Sequence, residues 1–385
     1  MDSQGTMIMP MSRRQLLQTG LVAGTSIASG TRATRAAAPS AKHLQTRVIS
    51  QLPNRYHGWP TLARRSSGEL VLVCSGGRES HVCPFGRVEL MRSHDEGTTW
   101  TWPETILDGP IDDRDAGILE TDQGTLLATT FTSLAYEPSL TRLSGEKQQR
   151  WQAAHQRISQ EQRQRALGVW MIRSTDGGVT WSQRYRCLVN SPHGPQQLAN
   201  GNLLYAGKQL WQDQARIGVC RSTDDGISWE WLSAIPTRPG DDHAQYHELH
   251  AVEAGDRIVV HIRNHNAQNS GETLQTESTD GGNTWSTPHA IGVWGLPSHL
   301  MKLRDGRLLM SYGHRRPPFG NQARVSADAG RTWSEPILIS ADGNGGDLGY
   351  PSTVQLRDGS LLTVWYEKLK SSNFAVLRQA HWQLT

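Results

Sequence analysis

Five copies of one eight-residue pattern constrain the architecture of this chain more than any other feature. SHDEGTTW at 93–100, STDGGVTW at 174–181, STDDGISW at 222–229, STDGGNTW at 278–285 and SADAGRTW at 326–333 all read Ser-x-Asp-x-Gly-x-(Thr/Ser)-Trp. The spacing has a physical reason. The Asp carboxylate can accept hydrogen bonds from nearby backbone N–H groups, the Gly can take positive φ, and the Trp can fold back over the turn. These residues therefore read as structural. A second repeat interleaves with the first: an apolar run, a Gly turn and an apolar strand, centred on Gly68, Gly124, Gly201, Gly255, Gly306 and Gly359. Six such hairpins with five boxes between them make antiparallel units of four strands and roughly fifty residues, the size of a propeller blade. The expected fold is all-β, a six-bladed β-propeller over 45–385. Its last unit lacks a box and ends in AVLRQAHWQLT, so the first and last segments should complete one blade together and close the ring.

The rest of the sequence agrees with that reading. With 38 Gly and 14 Trp in 385 residues, tight turns and aromatic packing are expected and a helical bundle is not. The net charge of +3 is dispersed, without a basic stripe or nucleic-acid motif, so nucleic acid is excluded as a partner. The first two boxes begin 81 residues apart and later neighbours 48 to 56 apart. The excess, about 136–166, is Gln-, Arg- and Ala-rich and free of Pro after Pro138, which predicts a helical insertion in the second blade beside the mouth of the central funnel. At the N-terminus, Ser12-Arg13-Arg14-Gln15-Leu16-Leu17 precedes a short apolar stretch and the run Ala36-Ala37-Ala38. Residues 1–38 thus resemble a twin-arginine export signal, too short to span a bilayer, and the chain is expected to be periplasmic or extracellular; a disordered basic N-terminus is the alternative. Cys74, Cys83, Cys187 and Cys220 form neither a metal spacing nor a disulfide frame, leaving one Cys74–Cys83 bridge or ordinary buried thiols.

In a propeller the inner strands converge on the axis, so the residues that open them are candidates for function. These are His57 and Trp59, Asp113 and Asp115, His193, His247 and Glu248, Ser298 and His299, and Asp347 and Tyr350. The alternative is that they cap strands or bind water in the channel. The HELH stretch at 247–250 is not a His-Glu-x-x-His zinc motif, and on a strand His247 and Leu249 should face opposite to Glu248 and His250. No cofactor is expected, and a metal held by His57, His193 and His299 is a minor alternative.

The boxes, together with HELHAVEAGDRIVVHIRN at 247–264 and GYPSTVQLRDGSLLTVWYE at 349–367, resemble the sialidase (neuraminidase) superfamily. The resemblance implies Tyr350 as nucleophile, Glu248 as its general base, and Arg263 with Arg315 or Arg316 as carboxylate-binding residues. It also implies that Glu367 holds the substrate-binding arginines, and that Arg78 and Asp115 contact the sugar. Two departures stand out. The first blade opens with His57-Gly58-Trp59-Pro60, where sialidases carry an Arg that clamps the substrate carboxylate. The loop after Arg78 reads Glu79-Ser80-His81-Val82-Cys83 and lacks the family's general-acid Asp, so Glu79, His81 or Asp115 becomes the candidate acid. His57, Trp59, His193, His247 and His299 are then expected to shape the sugar subsite. A phenol with pKa near ~10 needs a neighbouring base to attack at neutral pH, and sialidases are the Tyr exception among glycosidases.

The resemblance therefore implies an exported exo-glycoside hydrolase releasing a terminal acidic sugar, sialic acid or a relative, from a glycan. The alternatives are a non-catalytic glycan-binding propeller, or a lyase or unusual glycosidase that uses the central His residues.

Overall fold

The computed structural model describes residues 38–52, 54–211, 215–370 and 372–385. The expected leader, 1–38, lies outside them apart from its last residue. Six four-stranded antiparallel sheets follow one another along the chain. Their inner strands are Tyr56–Arg64, Asp112–Glu120, Gln196–Gln197, Tyr246–Ala254, Ser298–Lys302 and Leu348–Gln355, for blades 1 to 6. Blade 6 takes its fourth strand from the other end of the chain: Ala41–Val48 pairs antiparallel with Ala375–Leu384. The ring is closed as the sequence implied, with no free sheet edge left between first and last blades.

Chain direction assigns each loop to a face. Every inner strand starts at one end of the funnel and runs to a Gly hairpin on the opposite face, where the Asp boxes also lie, joining third strands to fourth. Loops joining second to third strands return to the funnel face. The helical insertion is one of these. It joins Leu126–Ser133 to Val169–Ser174 in blade 2 and contains α1 (Gly145–Gln156) and α2 (Gln160–Ala166), the latter opened by a Ser159/Gln162 capping box.

The boxes have the expected internal bonding. In the second, Asp176 accepts from Thr180 N at 2.9 Å, Thr180 Oγ1 at 2.5 Å and Ser174 Oγ at 2.7 Å, while Gly178 N donates to Ser174 Oγ at 2.8 Å. In the fourth, the same donors, Thr284 first, pull the Asp280 carboxyl down to about 2. Three of the indoles also reach backwards to the preceding blade: Trp100 Nε1 donates to Gln379, Trp285 to Ser233 and Trp333 to Gln275, at 2.8 to 2.9 Å. Apolar side chains fill the space between blades, for example Val71, Val73 and Leu90 of blade 1 against Ala116, Ile118 and Ala128 of blade 2. All four cysteines are free and buried, which removes the Cys74–Cys83 bridge. No helix among the described residues is long and apolar enough to cross a membrane.

Candidate active site

Four of the six inner strands begin with a bulge. Pairing slips between Gly58 and Thr61, Arg114 and Gly117, His247 and His250, and Gly349 and Ser352. In each bulge one non-glycine residue takes left-handed backbone: Trp59 (φ 54°), Asp115 (52°), Glu248 (46°) and Tyr350 (53°). A bulge leaves one residue without a ladder partner and re-aims its side chain. Strict alternation therefore fails here, Tyr246 and Leu249, three positions apart, entering the same apolar cluster.

Tyr350 and Glu248, 102 residues apart, meet directly: the phenol donates to Glu248 Oε1 at 2.5 Å. Arg263 Nη1 binds Glu248 Oε2 at 2.5 Å and also donates to Tyr350 Oη at 3.2 Å. Burial and the Glu248 charge hold the Tyr350 hydroxyl well above its ordinary value. Burial works the other way on Glu248, but the Arg263 cation and the Tyr350 hydrogen bond outweigh it and keep the carboxylate ionised. Arg315 lies over the Tyr350 ring at 5.5 Å and is anchored by Nε on Leu348 O at 2.8 Å.

Asp115 faces the same centre. Burial, then the Glu248 charge, raise its carboxyl to about 7, so a substantial share of it is protonated at neutral pH and most of it below. Trp59 is 2% exposed and sits between two guanidinium groups, Arg78 at 4.9 Å and Arg114 at 4.7 Å from its ring centroid. Tyr56, Tyr350 and Tyr366 lie 5.8 to 6.4 Å from or around that indole. At the rim, His81 is 46% exposed and its Nδ1 stands 2.8 Å from Tyr56 Oη and 3.0 Å from Asp347 Oδ1. His247 packs against His265, ring centroids 4.7 Å apart, and burial with the nearby Lys208 charge lowers it to about 4.

His193, His250 and His299 form a second cluster, with centroids 4.8 to 5.2 Å apart. Leu300 N–H donates to His250 Nδ1 at 2.8 Å, and His250 Nε2 stands 3.0 Å from the Gln196 side-chain amide. Burial keeps all three rings neutral, His299 falling to about 3. No group of three or more His, Cys, Asp or Glu among the described residues could hold a metal.

Several expected site residues stand elsewhere. Arg78 is fully buried, and Asp112 accepts from it at 2.6 and 3.0 Å, with Ser75 and backbone carbonyls taking its other N–H groups; it supports Trp59 and has nothing left for a sugar. Glu79 receives Arg150 Nε at 3.1 Å and Trp151 Nε1 at 2.8 Å, so it pins α1 to blade 1 and stays ionised, unsuited to act as an acid. His57 is buried beside Glu89, 3.7 Å away, and burial lowers it to about 4; it is not in the subsite or with His193 and His299. Glu367 is buried against Arg378 rather than holding Arg263 or Arg315, because alternation gives the funnel side to its neighbour Tyr366. Arg316 turns away and stacks on Trp294. Asp113 accepts from Gly109 N at 2.5 Å in a buried turn. Arg114, Tyr56, Tyr366, His250 and His265 were not foreseen. Arg114 had a signal, since it lies between Asp113 and Asp115 in the strand opening.

Residues 153–363, more than half of the chain, match the family of BNR repeat-like domains. No curated protein sequence matches the chain. Among solved structures, a Dyadobacter fermentans protein of unknown function is 21% identical with a TM-score of 0.74, over 90% of this chain and 100% of that one. The Streptococcus pneumoniae sialidase NanB is 16% identical with a TM-score of 0.64, over 89% of this chain and 70% of that one. The intramolecular trans-sialidase of Ruminococcus gnavus is 14% identical with a TM-score of 0.58, over 86% and 94%. Repeats, ring and family match agree: the chain belongs to the BNR repeat-like family, and its six-bladed propeller is similar in fold to those two sialidase structures.

Proposed function

We propose that this chain is an exported glycoside hydrolase that releases a terminal acidic sugar, sialic acid or a relative, from a glycan. The observation that carries the reading is the Tyr350–Glu248 hydrogen bond with Arg263 bridging both groups. The phenol is too weakly acidic to ionise alone, and an ionised carboxylate sits where its proton must go. The Tyr350 oxygen attacks the anomeric carbon as its proton passes to Glu248, the glycosidic C–O bond breaks, and Asp115 gives its proton to the departing oxygen. Water, losing a proton to Asp115, then attacks the same carbon, the Tyr350–carbon bond breaks, and Glu248 returns the proton to the phenolate.

An acidic sugar is supported by buried donors. Arg263 Nε, Arg315 Nη2 and Arg114 Nε have no hydrogen-bond partner among the described residues, and a carboxylate is the ligand that would satisfy them. The first-blade segment His57-Gly58-Trp59-Pro60 lacks the anchoring Arg that the resemblance implies, so the proposed carboxylate would be held by Arg263, Arg315 and Arg114 alone. Export rests on the twin-arginine-like leader at 1–38.

The test is a panel of aryl glycosides that includes the sialic acid derivative. Tyr350→Phe is expected to lower kcat/KM by about a thousandfold without lowering the melting temperature. Sugar binding without turnover, unchanged in Tyr350→Phe, would instead identify a glycan-binding propeller.

A further inference from the structure

Segment 314–316 sends its side chains in two directions. Arg315 turns inward over Tyr350, whereas Arg316 turns outward, its guanidinium 4.3 Å from the Trp294 ring centroid. Arg316 there borders a cleft of about 590 Å³ between blades 4 and 5. Most of its walls come from the second-to-third-strand loop of blade 4 and the ends of strands that finish at the funnel face. The cleft and the funnel therefore share the 314–316 segment as a wall.

The cleft sets two guanidinium groups beside an indole, Arg316 covering one face of Trp294. Arg324 enters it with Nε on Tyr312 Oη at 3.3 Å and Nη1 on Ser334 O at 2.8 Å, and Arg316 Nε faces His314 Nε2 at 3.3 Å. Neither guanidinium has a carboxylate partner among the described residues. Glu272, the carboxylate in the lining, is already held by Arg238 at 3.2 Å, so it does not cancel the two positive charges. The Trp294 ring is fixed by its Nε1 bond to Ser270 O at 3.0 Å. An aromatic surface packs on the C–H face of a pyranose, and guanidinium groups take carboxylate or sulfate through paired bonds.

We propose that this cleft binds a second, acidic sugar unit of the glycan, beside the funnel. That the unit belongs to the glycan being cut rests on the proposed hydrolysis, whereas binding itself does not. The experiment is calorimetric titration of the wild type and of Tyr350→Phe with trigalacturonate, a chondroitin sulfate disaccharide, neutral maltotriose and inorganic phosphate. The acidic sugars are expected to bind both proteins equally and more weakly as salt rises, and the tighter of the two identifies carboxylate or sulfate as the recognised group. Trp294→Ala and Arg324→Gln should each weaken that binding about tenfold, leaving melting temperature and aryl glycoside turnover unchanged. Equal binding of maltotriose or phosphate overturns the proposal, as does binding indifferent to both substitutions. Turnover of aryl glycosides without acidic-sugar binding removes only the cleft; binding without turnover removes only the hydrolase reading.

Discussion

On the face carrying the Gly hairpins and Asp boxes, left-handed backbone is a matter of turn geometry. All six hairpin glycines use it, Gly68 at φ 94° for example. So does the fourth box position, which is Gly177 or Gly281 in two copies and Glu96, Asp225 or Ala329 in the others. The residue there varies because the turn needs only the conformation. On the funnel face the same backbone region is occupied by Trp59, Asp115, Glu248 and Tyr350, each in a bulge and each projecting a large or ionisable side chain to the centre. Such conformations cost on the order of 1–3 kcal/mol apiece for a residue with a Cβ. Strain tolerated for a side chain rather than for a turn distinguishes the working face from the scaffolding face.

Three substitutions probe that contrast. Asp115→Asn should lower turnover of substrates with poor leaving groups by roughly 10²–10⁴-fold. In the wild type, the acid form of Asp115 is lost as pH rises through about 7, so activity should fall above neutrality. A pH–rate profile that keeps its alkaline limb unchanged in Asp115→Asn would assign the acid to another group. Trp59→Ala should cost about 3–5 kcal/mol in denaturant unfolding, since it empties the space between two guanidinium groups. A loss near that of an exposed indole would mean the funnel bulge is no costlier to alter than a box. Ala329→Gly should raise stability by up to about 1 kcal/mol, because only left-handed strain and a little packing are removed. A destabilised Ala329→Gly would show that turn and funnel strain are not different in kind.

The scaffold was legible because its signals are local. A box holds its Ser, Asp, Gly and Thr within a few residues, and so do the hairpin turns. Ring closure followed from counting units. The insertion was legible from an anomalous spacing and a helical composition, although its task, burying Trp151 and engaging Glu79, was not. The centre was legible where a strand opening coincides with a bulge, at Tyr350, Glu248 and Asp115. It failed at His57, since a bulge shifts which residues face the axis and period-two counting cannot locate it, and for a different reason at Arg78 and Glu367. Arg78 and Glu367 carried charges that long-range partners, Asp112 and Arg378, had already taken.

The clasp that completes blade 6 also fixes how the ring responds to force. Ser40 and Thr385 exchange backbone hydrogen bonds at 2.9 Å, next to Ala41 paired with Leu384, so the ends of the described propeller leave the same corner of an antiparallel pair. Tension applied between the ends meets one rung at a time, like a zip, instead of loading the whole ladder in shear. Pulling from the ends should therefore peel the Ala41–Val48 strand first, at low force, opening the ring before any blade is unravelled.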